Sequence, residues 1–211
     1  MREPPRLTGI SHHYARVPSL RDVTLTVEPG TVTALVGGNG SGKSTLLGIL
    51  AGTLRPTSGT VTGVPENTAL VPQHSVAPDL FPVTVRRTVS MGRWRHRGLL
   101  RPLTRRDRAV IDTSMACMGI TDLADRTLSD LSGGQRQRTF IAQGLAQQAP
   151  LLLLDEPLSA VDTATVTMID TAVREESRAG TTVVIATHHR HQADSADRVI
   201  VLDHGRVVEP V

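Results

Sequence analysis

The spacing of apolar positions changes several times along the chain, and each change marks an element. Val23, Leu25 and Val27 alternate with polar residues, which predicts a half-buried strand. A Pro29-Gly30 turn separates it from a second strand that ends in Ala34-Leu35-Val36. A glycine-rich stretch follows, and then Leu46, Leu47, Ile49 and Leu50 take helical spacing, with Gly52 placed to end the helix. Residues 56–72 hold short β-type pieces broken by glycine and proline. From about 82 to 128 the pattern is helical and rich in arginine, and Arg136 to Ala146 is helical again. An unbroken apolar strand, Leu151–Leu154, leads to a helix over about 162–179 and to strands at Val183–Ala186 and Val199–Leu202. Strands alternating with helices predict an α/β fold with a mainly parallel sheet. The helical middle reads as an insertion into that fold, and no repeat or linker interrupts the chain.

Composition narrows the function classes. With 211 residues the chain is one compact two-lobed unit or two small domains. Hydrophobic residues make up 39%, enough for a real core. No apolar run approaches the 18 or more residues of a membrane span. Met1 to Ile10 lacks the apolar stretch of a signal peptide, so a cytoplasmic type of chain is expected. The lone Cys117 excludes an internal disulfide and a multi-cysteine metal site. The net charge is +3, and every cation but Lys43 is arginine. Residues 86–108 alone carry +8, leaving −5 for the rest. A uniformly basic nucleic-acid binder would not distribute its charge in this way, and four aromatic residues are too few for base stacking. No nucleic-acid partner is expected.

Chemistry enters with two motifs. Gly37-Gly38-Asn39-Gly40-Ser41-Gly42-Lys43-Ser44-Thr45 contains G-x4-G-K-[ST] between a predicted strand and a predicted helix, the context of a phosphate-binding loop. Glycines let backbone N–H groups wrap a polyphosphate, and the helix start adds its positive end. Lys43 is expected to reach the β- and γ-phosphates of a bound nucleotide, and the Ser44 hydroxyl to ligate Mg2+. A compact ammonium suits this cradle better than a planar guanidinium. Asp155 and Glu156 close the strand Leu151–Leu154, at the carboxyl end where α/β sheets bind ligands. Asp155 is expected at Mg2+, directly or through water, and Glu156 as the base that polarises the attacking water. By itself Asp-Glu after four leucines reads equally as an acidic turn; the phosphate loop upstream favours the catalytic reading.

Leu131-Ser132-Gly133-Gly134-Gln135 stands before a helix, and serine with two glycines at a helix start is an anion site. LSGGQ together with the two motifs above resembles the ATP-binding cassette (ABC) ATPase family over nearly the whole chain. The resemblance implies a P-loop NTPase core with an antiparallel β subdomain and an inserted α-helical subdomain. The core lobe would span about 1–78 and 150–211, and the helical subdomain about 79–149. It also implies that ATP is sandwiched between two cassettes, one giving the P-loop and the other Ser132, Gly133, Gly134 and Gln135. Tyr14 looks like the aromatic that stacks on adenine, and a core tyrosine is the competing reading. Gln73 looks like the glutamine that touches Mg2+ or the water. Ser159-Ala160-Val161-Asp162 resembles the loop that crosses the dimer interface, and His188 the switch histidine at the γ-phosphate. The chain departs from the family at Gly38, where proline is frequent, and at His189, where aspartate commonly follows the switch histidine. That departure leaves His188, His189 and His191 close in sequence, a second candidate metal site.

The same resemblance frames the partners. The 58 residues between Gln73 and Ser132 suit a small helical subdomain and not the long insertion of repair ATPases. No accessory regulatory domain is expected after Val211, and a separate membrane permease must be supplied. Residues 78–94, with Thr84-Val85 and Met91-Gly92-Arg93, are similar to cassettes of zinc, manganese and iron-chelate importers. The expectation is therefore a homodimeric ATPase at the cytoplasmic face of a membrane, importing a metal ion or metal chelate with a permease and a solute-binding protein. An exporter ATPase and a soluble, non-transport ABC ATPase are the alternatives. Leu80 and Phe81 are read either as a socket for the permease or as core of the helical lobe. The arginine-rich segment from Arg86 to Arg108 is open between a solvated face, contact with lipid headgroups or the membrane subunit, and nucleic acid.

Overall fold

Leucines 151 to 154 are all buried, because their strand has a neighbour on each side and a packed layer on each face. The computed structural model describes residues 3–73, 83–97, 101–159 and 161–208. Leu80 and Phe81 lie outside these residues, as does Ala160. In chain order the elements are β1 (Arg6–Tyr14), β2 (Val17–Thr26), β3 (Val32–Val36), α1 (Lys43–Leu50), β4 (Ser58–Thr62), β5 (Thr68–Val71) and α2 (Val85–Met91). There follow α3 (Trp94–Arg97), α4 (Arg105–Cys117), α5 (Gly133–Ala146), β6 (Leu151–Asp155) and α6 (Thr163–Arg178). The chain then forms β7 (Thr182–Thr187), α7 (Arg190–Ser195), β8 (Arg198–Asp203) and β9 (Arg206–Val208).

Six strands form one sheet in the order β5-β6-β7-β3-β8-β9, parallel except for β9. Successive side chains of a strand point to opposite faces. Leu151 and Leu153 therefore join Val184 and Ala186 against Leu46, Leu47 and Leu50 of α1, and against Leu7, Ile10 and Val23 of a second sheet. Leu152 and Leu154 join Val183 and Ile185 in the other layer, with Ile111 and Met115 of α4 and Ile141 and Leu145 of α5. A strand buried on both faces needs apolar residues at every position, which explains the unbroken run. The second sheet is antiparallel, in the order β2-β1-β4, and it flanks α1.

The fold class is the expected P-loop core, with a mainly parallel sheet, an antiparallel sheet and a helical layer. Three elements are additions to the sequence reading. Strand β1 is central to its sheet, yet its alternation is broken by register shifts between Leu7 and Ile10, Ile10 and His12, and His12 and His13. Helix α7 and strand β9 are short, at six and three residues, so tertiary contacts carry them. The arginine-rich stretch is less regular than its pattern: α2, α3 and α4 are followed by single 3-10 turns at Thr121–Leu123 and Leu128–Asp130. Among the described residues no helix is long and apolar enough to cross a membrane.

One arginine of that stretch is structural. The Arg93 guanidinium, buried beside α3, donates to Asp107 Oδ1 at 3.0 Å and to the Ala146 carbonyl at 2.9 Å, joining α4 to the end of α5. Asp107 is also half of the capping box of α4, accepting from the backbone N–H of Thr104 at 2.9 Å. The Thr104 hydroxyl, the Thr104 N–H and Arg93 together hold the Asp107 pKa at about 2, against the opposing effect of burial. A carboxylate with a depressed folded pKa stabilises above its unfolded value, near 4, and loses that contribution as pH falls toward 2. Asp107→Ala should cost about 3–5 kcal/mol at neutral pH by leaving Arg93 buried without its charge partner. The gap in thermal stability between wild type and variant should shrink between pH 4 and pH 2, as followed by circular dichroism melts.

Candidate active site

The glycine loop leaves β3 and enters α1 under tight steric control. A Cβ at Gly37 would lie 2.2 Å from the Leu202 carbonyl oxygen of β8. Gly42 caps α1 at φ +104, and a Cβ there would meet the Ser19 carbonyl at 2.7 Å. Gly38, by contrast, has open space around it, so packing does not demand glycine at that departure from the family pattern. Gly42 contributes no side-chain cap, which leaves the first N–H groups of α1 available to an anion.

Lys43 is almost fully buried and donates to the carbonyls of Gly37 and Gly38 at 2.8 and 2.9 Å. Its ammonium also lies 3.6 Å from Glu156 Oε1. Glu156 reaches this point because β6 and β7 pair in register: Asp155 faces Ala186, and the Glu156 N–H donates to the Ala186 carbonyl at 2.9 Å. The turn puts Glu156 at φ +45, a left-handed conformation that costs a non-glycine residue about 1–3 kcal/mol and is concentrated at functional sites. Its Oε2 accepts from Gln73 Nε2 at 2.7 Å and from the Ser159 hydroxyl at 3.4 Å. His188, after β7, places Nδ1 3.5 Å from the same oxygen. The carboxylate thus sits between a cation, an amide, a hydroxyl and an imidazole, oriented by all four.

These groups line one cleft of about 670 Å³. Tyr14, Asn39, Gly40, Ser41, Gly42, Lys43, Ser44, Thr45, Gln73, Glu156 and His188 all contribute to it. Tyr14 is half exposed, not a core residue, and its hydroxyl is 3.4 Å from Thr45 Oγ1. Asp155 is buried at the end of β6, behind the lining residues. Three further lining residues, Ser19, Ser159 and His189, were not among the expected site residues. Ser19 is bonded to Thr45 Oγ1 at 2.8 Å, where β2 packs against α1; no motif marks it. Ser159 falls in the segment already read as an interface loop, and His189 stacks on His188 at 4.3 Å.

Ser132, Gly133, Gly134 and Gln135 do not line the cleft. Ser132 is exposed at the start of α5, in a capping box with Gln135. A Cβ on Gly133 would meet nothing within 4 Å. The histidines do not form a second metal site. His191 pairs with Asp170 at 3.2 Å while His188 faces Glu156, and no group of three or more potential ligands exists among the described residues.

The family profile described as ABC transporter matches residues 20–159. The chain belongs to the ABC transporter family. The ATP-binding protein of a manganese transport system in Synechocystis is 39% identical over 85% of this cassette and 72% of its own length. The ATP-binding protein of a zinc uptake system in Listeria innocua is 35% identical, over 86% and 75%. Among solved structures, a metal-chelate type ABC transporter in an inward-facing conformation superposes with TM-score 0.85 at 30% identity, covering 99% of the cassette and 82% of that chain. A dimeric bacterial ABC transporter cassette superposes with TM-score 0.83 at 26% identity, covering 96% of each chain. The cassette is an ATP-binding and ATP-hydrolysing protein of this family.

The two glycine environments give a test of the loop. Gly42→Ala should destabilise by about 1–3 kcal/mol, through its positive φ and the collision with the Ser19 carbonyl. Gly38→Ala should change stability by no more than about 0.5 kcal/mol. Chemical denaturation of the two variants reads the difference directly.

Proposed function

We propose that this ABC cassette powers the import of a metal ion or metal chelate through a separate membrane permease, working as a homodimer at the cytoplasmic face. The observation that carries the reading is the likeness to manganese and zinc uptake ATPases, and to a metal-chelate transporter, over most of the chain. A solute-binding protein would deliver the cargo. The cleft chemistry then divides into binding and hydrolysis.

The N–H groups of the loop and of the first turn of α1 would receive the phosphates, and Tyr14 the base. Lys43 would release Glu156 and turn its ammonium to the β- and γ-phosphates, where a unit charge is better neutralised than by two carbonyls. Ser44, Gln73 and Asp155 are all hard oxygen donors, the set that suits Mg2+, and they are the residues that would hold it. Mg2+ when bound neutralises phosphate charge. Glu156, freed from Lys43, would accept the proton of the attacking water, with Gln73 and Ser159 holding its orientation and His188 contacting the γ-phosphate. Ser132, Gly133 and Gly134, which do not line this cleft, would complete the site of a second chain. ATP closes the two chains and hydrolysis opens them, which would drive the permease.

Glu156→Gln keeps the shape of the side chain and removes the base. It should retain ATP binding, lower turnover by about two to four orders of magnitude, and accumulate as an ATP-bound dimer on size-exclusion chromatography. In cells relying on the system, the same variant should abolish accumulation of manganese or zinc, measured by elemental analysis. Normal uptake of both metals would refute the cargo reading, and normal turnover the assignment of Glu156. Lys43→Ala should raise the ATP dissociation constant at least about tenfold, through loss of the charge facing the phosphates. Mixing inactive Lys43→Ala with inactive Ser132→Arg should restore partial ATPase, because some mixed dimers carry one intact composite site. Heterodimers without any activity would count against sharing of the sites.

A further inference from the structure

Beneath the exposed ring of Tyr14 lies a histidine that no motif accounts for. His12 and Tyr14 are two residues apart near the end of β1, and their rings are in contact. Tyr14 is 51% exposed, whereas His12 is only 9% exposed. The two rings meet edge to face, with centroids 4.8 Å apart and planes at 81°. His12 Nδ1 is 3.0 Å from the carbonyl oxygen of Arg55, in the segment between α1 and β4. A carbonyl can only accept, so Nδ1 carries the hydrogen, and that bond fixes the plane of the imidazole. Its Nε2 is buried with no hydrogen-bond partner among the described residues, so the ring forgoes one polar bond to stand where it does.

The consequence falls on Tyr14. Its strand ends at that residue, and the next residue, Ala15, turns the chain at φ +54. A half-exposed aromatic at a strand end has several open rotamers, and any that turned its face from the cleft would lose the base. Two contacts restrict it. The hydroxyl is held loosely by Thr45 at 3.4 Å, and the ring is braced by His12. Arg55 lies just after α1, the helix that follows the phosphate loop, so the brace ties the base-stacking end of the cleft to the phosphate-binding end.

We propose that His12 is a positioning residue of the nucleotide site: anchored on the Arg55 carbonyl, it holds the Tyr14 ring in the orientation that receives the base. The inference rests on the reading of Tyr14 as the stacking residue. It assigns His12 to the affinity for the nucleoside part of ATP, with no role at the γ-phosphate. An edge-to-face aromatic contact corresponds to about a three- to tenfold change in an equilibrium constant, and preorganised side chains bind more tightly than mobile ones.

The test measures ATP and inorganic triphosphate binding by calorimetry, together with KM and kcat for ATP, on the full chain. His12→Ala should weaken ATP binding and raise KM about three- to tenfold, leaving triphosphate affinity and kcat at saturation unchanged. His12→Phe, which keeps a ring against Tyr14, should recover part of the loss. In a Tyr14→Ala background His12→Ala should add nothing. Should His12→Ala reduce folding yield, His12→Phe and His12→Val give the same comparison between ring and no ring. Equal losses for ATP and triphosphate, or an unchanged KM in His12→Ala while Tyr14→Ala raises it, would overturn the proposal. An unchanged ATP affinity in Tyr14→Ala would instead overturn the stacking reading on which it rests.

Discussion

Parallel pairing of β3 and β6 on either side of β7 places three carboxyl ends next to one another, and the chemistry of the cleft depends on that register. Val36 faces Thr187 and Asp155 faces Ala186, so the phosphate loop, Glu156 and His188 leave the sheet side by side. A slip of one residue in β6 would exchange its two faces, sending Leu152 and Leu154 to the layer now holding Leu151 and Leu153. It would also move Glu156 along the sheet by one residue's rise, about 3.3 Å, roughly the length of the contacts it now makes. The apolar layers on both faces therefore protect the position of the Glu156 carboxylate as well as the stability of the fold.

Burial gives that carboxylate its setting. Glu156 and Lys43 are both under a tenth exposed, and a buried ion is tolerated only where partners compensate for lost hydration. Two loop carbonyls and Glu156 do this for Lys43; Gln73, Ser159, Lys43 and His188 do it for Glu156. The positive φ of Glu156 adds backbone strain, which the bond of its N–H to the Ala186 carbonyl helps to hold in place. The cleft thus contains a buried charge pair, Lys43 and Glu156, held by carbonyl, amide and hydroxyl partners.

The helical layer works differently. Its arginines are not one functional unit: Arg93 is buried and structural, whereas Arg86 pairs with Asp112 at the surface. Exposed pairs of that kind contribute little to stability, whereas buried Arg93 links α4, through Asp107, to the end of α5, through the Ala146 carbonyl. Those helices in turn set the position of Ser132 at the N-terminus of α5, where its side chain and glycines face outward.

Much of this was present in the chain as a string. The glycine loop, the leucine run ending in Asp155 and Glu156, and the LSGGQ segment are local patterns, because each needs residues close in sequence to shape one turn or one helix start. They determined the family, the α/β fold and most of the cleft. The antiparallel strand β1 was not legible, since bulges and two histidines break its alternation. Ser19 and His12 were not legible either: neither belongs to a pattern, and each acquires a role only through residues far along the chain, Thr45 and Arg55. The structure alone decided that Tyr14 is a half-exposed ring meeting His12 edge to face, that His191 turns to Asp170, and that Arg93 is buried. Those outcomes depend on which distant groups compete for each side chain, and such competition is settled only when the layers pack.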